Sequence, residues 1–170
     1  MKTNFLKLSS FVFCLLFLIS CGKKDDAVSP ATGLIGSWKV TDISYNGTSS
    51  VNLAGEKVST DFTGKGYDMN LVIQFKESPK EFVAAGNYSI MLKVNFFGQT
   101  TEQPLTNVGF INSGTWSQSG NEITISGQKA TVVEQTSNTL KIGWNFSSTT
   151  NQSGSVSTQD VKGTYTFSRQ

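Results

Sequence analysis

FVAAGNYSIMLKVNF, residues 82–96, decides the fold. Phe82, Ala84, Tyr88, Ile90, Leu92, Val94 and Phe96 all occupy even positions, with Asn87, Ser89, Lys93 and Asn95 between them. A period of two sends the two sets to opposite faces of an extended strand, whereas a helix needs apolar residues three and four apart. The same alternation recurs in Leu71, Ile73 and Phe75 against Val72, Gln74 and Lys76, and in Leu140, Ile142, Trp144 and Phe146 against Lys141, Gly143 and Asn145. One apolar face and one polar face is the antiparallel pattern, since parallel strands are buried on both. From Leu34 onward no stretch keeps a helical period. The class is all-β.

Working outward, eight strands are expected near 36–45, 68–76, 81–97, 109–118, 121–126, 129–135, 139–147 and 160–168. The third is long enough to require a bend, and Gly86 is the residue that permits one. Connections of odd rank are 46–67, 98–108, 127–128 and 148–159; those of even rank are the short turns Glu77–Lys80, Ser119–Gly120 and Thr136–Asn138. In an up-and-down antiparallel barrel alternate connections share an end. The chain is therefore expected to form a cup with a tight base and a mouth rimmed by three long loops. With Trp38 starting at the base, Trp38, Phe75, Phe82, Trp116 and Phe167 gather there, while Tyr45, Met69, Phe96, Phe110, Phe146 and Val161 fall near the mouth. The mouth cluster either lines a ligand cavity or fills the barrel, and an eight-stranded barrel has room for both arrangements. Arg169, the only arginine, leaves the last strand at the base and is expected to lie over the Trp38 indole or to bind the backbone at the first strand's entry.

Upstream of the barrel, Lys2 and Lys7 precede the apolar run Phe11–Ile19. Nine helical residues span only about 14 Å, roughly half a hydrocarbon core, so the run is too short to cross a membrane and suits a cleavable signal peptide. It ends in Leu18-Ile19-Ser20-Cys21-Gly22, which resembles the lipobox of bacterial lipoproteins. That resemblance implies removal of residues 1–20, acylation of Cys21 by a diacylglyceryl group and often palmitate, and anchoring in the envelope of a Gram-negative bacterium. Two or three acyl chains anchor durably where one does not. Residues 22–33, GKKDDAVSPATG, carry charge, Pro, Ser and Gly without apolar period, so 21–33 reads as lipidated Cys plus flexible linker and 34–170 as the barrel domain. Lys23, Lys24, Asp25 and Asp26 resemble the short charged signals that place such lipoproteins on the outer membrane's exposed face.

The wider chain resembles the lipocalin-like domains of bacterial lipoproteins. The residues that carry this are Gly36-Ser37-Trp38, similar to the lipocalin Gly-x-Trp signature, within GLIGSWKVTDISYNG (33–47). SGTWSQSGNEITIS (113–126), TVVEQTSNTLKI (131–142) and the ending GTYTFSRQ (163–170) accompany it. The resemblance implies an eight-stranded up-and-down barrel. The disulfide and C-terminal helix of transport lipocalins have no counterpart here, so their retinoids and siderophores are not carried over.

Composition narrows the function. The chain has 14 Lys+Arg, 12 Asp+Glu and no His. Loss of Lys2 and Lys7 with the signal leaves no net charge, so nucleic acid is not an expected partner. Without His, imidazole triads and imidazole metal sites are excluded. Both cysteines, Cys14 and Cys21, precede the domain, which must hold itself together without a disulfide. Gly64-Lys65-Gly66 lacks phosphate-loop spacing, and Asp61 and Asp68 lack a calcium ladder. Asp61, Asp68 and Glu102 are carboxylates of the mouth with nothing to pair them for hydrolysis. No catalytic residue, metal or cofactor is expected. The reading is a membrane-anchored monomer whose barrel binds a small apolar or amphipathic ligand. Its alternative is a surface interaction protein with a filled barrel that meets a protein or glycan through its loops. Replacing Cys21 with Ser should release the protein from the membrane fraction, and persistence through an alkaline wash would refute the anchor.

Overall fold

The computed structural model describes residues 33–53, 55–152 and 155–170; the segment carrying the signal, Cys21 and linker expectations lies outside the described residues. Eleven strands form one antiparallel sheet: β1 (Gly36–Leu53), β2 (Glu56–Tyr67), β3 (Val72–Lys76), β4 (Glu81–Ala85), β5 (Tyr88–Phe96), β6 (Gln99–Val108), β7 (Gly114–Ser119), β8 (Glu122–Ile125), β9 (Gln128–Gln135), β10 (Thr139–Gln152) and β11 (Ser155–Arg169). β1, β3, β4, β7, β8, β9, β10 and β11 pair in that order, and β11 returns to β1, so eight strands close into an antiparallel barrel. No helix among the described residues is long and apolar enough to cross a membrane.

Two local irregularities shape the wall. At Gly86, where φ is +90°, the long third course bends between β4 and β5; a Cβ there would meet the Asn70 carbonyl oxygen at 2.3 Å. In β1 the register against β11 shifts between Val40 and Asp42. That bulge hands the inner face from the even residues Trp38 and Val40 to the odd residues Ile43 and Tyr45.

The base is packed solid. Trp38, Phe82, Phe167, Leu71, Ile73, Ile123, Ile125, Leu140 and Ile142 are fully buried, and Phe75 meets the Phe82 and Trp116 rings at 5.3 and 5.4 Å. Trp38 donates its indole N–H to the Leu34 carbonyl at 2.8 Å, and Trp116 donates to the Lys76 carbonyl at 2.8 Å. Arg169 locks the seam. Its guanidinium carbon lies 4.2 Å from the centre of the Trp38 ring. Its Nε donates to Ser137 O at 2.6 Å, Nη1 donates to Ile35 O at 2.7 Å, and Nη2 donates to Gly33 O.

The opposite end corrects the sequence reading. Residues 46–67, 98–108 and 148–159 are not long loops. They are strand: β1 pairs β2 from Ser44↔Lys65 to Leu53↔Glu56, β5 pairs β6, and β10 pairs β11 as far as Gln152↔Ser155. Every residue of β6 up to Asn107 is exposed. Strands wetted on both faces carry no consistent apolar alternation, so the signal used to find strands is lost while the backbone ladder persists. Polar cross-strand contacts support them, including Thr48 Oγ1 to Asp61 Oδ1 at 2.8 Å and the exposed Lys93–Glu102 pair at 2.7 Å. The result is a six-stranded wall, ordered β10-β11-β1-β2-β5-β6, rising past the closed ring on one side.

Arg169→Ala removes a cation–π contact and three charge-assisted hydrogen bonds, for a loss of about 3 kcal/mol. Thermal unfolding should shift downward by roughly 10 °C, with Arg169→Lys intermediate. Identical melting curves would show that the seam does not depend on the guanidinium.

Candidate functional site

Above the packed base the barrel opens to solvent. A cavity of about 580 Å³ is lined by Tyr45, Tyr88, Phe110, Ile111, Trp144, Phe146, Val161 and Tyr165, with Asn112, Ser126 and Gln128 at its polar side. Phe110, in the break between β6 and β7, is its floor. Its ring lies 6.1 Å from Phe82 and 6.3 Å from Phe167 below, and 5.4 Å from Trp144 and 5.0 Å from Tyr165 beside it. The same residue therefore ends the base core and begins the cavity.

A second hollow of about 540 Å³ continues along the inner face of the rising wall, over Phe62, Leu92, Val94 and Leu105. It shares Tyr45 and Val161 with the first. Glycines make room for the large rings between them. A Cβ on Gly64 would fall 2.3 Å from the Tyr45 ring, and one on Gly47 would fall 2.4 Å from Phe62. Each ring thus reaches over its neighbour's bare backbone. No charged side chain lines either hollow. A concavity of about 570 Å³ on the outer wall differs in carrying three cations, Lys65, Lys93 and Lys162. Of these, Lys65 is paired with Asp42 and Lys93 with Glu102.

The cavity's tyrosines are kept neutral. Tyr88 and Tyr165 bring their hydroxyls to 3.1 Å. Burial pushes the Tyr165 hydroxyl far above the usual phenol range, and Tyr88 beside it adds to the shift. Tyr88 and Tyr45 are raised chiefly by burial as well. The Trp144 indole N–H is buried and has no hydrogen-bond partner among the described residues. Lipid-like burial with neutral donors suits binding and orientation of an uncharged or weakly polar molecule. It offers no nucleophile–base pair. Among the described residues no group of three His, Cys, Asp or Glu side chains converges to hold a metal ion. Asp61 accepts from Thr48 and Glu102 is tied to Lys93, and neither carboxylate lines the inner hollows.

Of the residues expected at the mouth, the structure gathers Tyr45, Phe110 and Phe146 around one cavity. It does not bring Met69 or Phe96 there. Met69 packs against the core, its sulfur near the Gly66 backbone. Phe96 is 46% exposed and meets Phe97 edge to face at 4.4 Å, and Phe97 is 84% exposed at the β5–β6 tip. The displacement follows from the extra strand length: β5 carries Phe96 well above the ring. Trp38, Trp116 and Arg169 lie at the base. Tyr88, Trp144 and Tyr165 were missed by sequence reasoning. Trp144 shares the parity of Ile142 and Phe146, which was a usable signal; Tyr88 and Tyr165 meet only through the sheet register.

Residues 34–142 match the family model described as a lipocalin-like domain. Neither a search of curated proteins nor one of solved structures returned a match.

The raised tyrosines give a pH dependence with a definite sign. The native state holds phenol protons that the unfolded chain releases near pH 10, so stability is intact below that point and falls as pH rises above it. Unfolding titrations should show this alkaline decline, and Tyr165→Phe should flatten it. An equal slope in wild type and variant would place the effect elsewhere.

Proposed function

The chain belongs to the lipocalin-like domain family, and on that premise we propose that it is a binding protein, not an enzyme, which holds a small apolar or amphipathic ligand above the packed base of its barrel. The observation that carries this reading is the aromatic cavity over Phe110, continuous through Tyr45 and Val161 with the apolar face of the rising wall. Apolar burial with a few placed donors is the usual composition of a small-molecule site.

The proposal includes the anchor. Cys21 carries lipid and holds the protein at the outer membrane of a Gram-negative envelope, supported by the short apolar run and the lipobox-like Leu18–Cys21. Gly33 lies at the base, bonded to Arg169, so the tether enters at the closed end and the mouth faces away from the anchor. An interaction role through the hairpins is the second reading, favoured by the exposed Phe96–Phe97 tip. Such aromatic rings are common anchors of protein contacts.

Val161→Trp separates the two readings, because it fills the point where the hollows meet. Binding of an anilinonaphthalene dye should fall at least tenfold while the melting temperature is kept, and the organic extract of the wild-type protein should contain a molecule absent from the variant's. Undiminished dye binding in the variant would move the site out of the barrel.

A further inference from the structure

The chain has three tryptophans, and they are not equivalent. Trp38 and Trp116 give their indole N–H groups to backbone carbonyls of Leu34 and Lys76. Trp144 gives its own to nothing among the described residues, although the atom is out of solvent contact. A buried donor left unmade costs about 1–3 kcal/mol. Only one other side-chain atom among the described residues shares this condition, Gln118 Oε1 on β7, and Gln118 does not line the cavity. Trp144 lines the cavity, and an unpaired donor on a lining residue is a specificity element: it favours a guest that supplies an acceptor and penalises one that does not.

We propose that the ligand is an uncharged amphiphile, an alkyl chain bearing one carbonyl- or ether-type oxygen, and that Trp144 donates its indole N–H to that oxygen. This rests on the binding reading above and narrows it. Three features select the class. First, no Lys or Arg lines the inner hollows, so a carboxylate head would be buried without a counter-charge. Second, one of the Tyr88 and Tyr165 hydroxyls donates to the other at 3.1 Å, so that pair is already bonded to itself, whereas the indole N–H has no partner among the described residues. Third, a cation is disfavoured because the rings cover one another edge to face. Phe110 meets Trp144 at 81° and Tyr165 at 69°, and Trp144 meets Tyr165 at 86°, so their faces are not turned together toward a shared centre. The second hollow takes the chain. Its apolar lining of Phe62, Leu92, Val94 and Leu105 offers an alkyl chain a continuous surface leading away from Tyr45 and Val161.

The test uses the full chain, isotope-labelled at its tryptophan indoles, with three probes of equal carbon count: nonyl methyl ketone, undecane and undecanoate. The ketone should move one indole N–H resonance of the three, the one lost in Trp144→Phe, and leave the other two in place. Trp144→Phe should weaken the ketone roughly tenfold and leave undecane unchanged. The acceptor assignment is overturned if undecanoate at neutral pH binds as tightly as the ketone, or if the ketone binds without moving the Trp144 signal; in either case the cavity still binds alkyl chains and the broader reading stands. If none of the three probes binds, the assignment and the binding reading fall together.

Discussion

The antiparallel pairing of β1 with β11 carries the rest of the molecule. It runs from Trp38↔Arg169 to Val51↔Ser157 and joins the two ends of an otherwise open sheet. Without it, β1 and β11 would each present an unpaired edge, the situation that barrels exist to avoid. The bulge between Val40 and Asp42 lies inside this seam. Because side chains alternate strictly along a strand, one extra residue there decides which face every later residue of β1 occupies. Tyr45 faces the cavity for this reason, and Ser44 and Asn46 face the outer groove.

From the seam follows a division between the two ends. The base has Trp38, Phe75, Phe82 and Phe167 fully or almost fully buried, with a cation over one indole and both base indoles bonded to backbone. No cysteine occurs after Cys21, so this packing supplies what a disulfide supplies elsewhere. The upper wall is different in kind. β6 is exposed along nearly its whole length, and its support is ladder hydrogen bonds and surface pairs such as Lys93–Glu102, each of which contributes little. Stability resides at one end, and space with unmet donors at the other. Phe110 touches both.

Much of this was legible in the residues, and the failures have a common cause. Period two between Phe82 and Phe96 was enough for antiparallel strands, Gly86 for the bend, and the short turns at 77–80 and 136–138 for the base. Residues 46–67 and 148–159 were misread as loops because Ser, Thr, Asn and Gly on both faces look alike whether or not the backbone is paired. That error also misplaced Phe96, whose strand is carried past the ring. Register was the other illegible quantity. Tyr88 and Tyr165 are 77 positions apart, and their contact depends on how far each strand slides against its neighbour. Met69 followed the same rule: being near the mouth in sequence did not turn its side chain into the cavity.

If the base is the stable unit and the upper wall an adaptable extension, amide hydrogen exchange under native conditions should divide the chain sharply. Amides of Trp38, Ile73, Phe82, Ile123, Leu140 and Phe167 should exchange only through global unfolding, at one shared free energy. Those of 48–52, 57–61, 100–107 and 149–151 should exchange through local opening at much lower free energies, although all of them lie in regular strand. Equal protection in both groups would contradict the account, since the wall would then be part of one uniform core and the hollow above Phe110 a feature of packing with no adaptable rim.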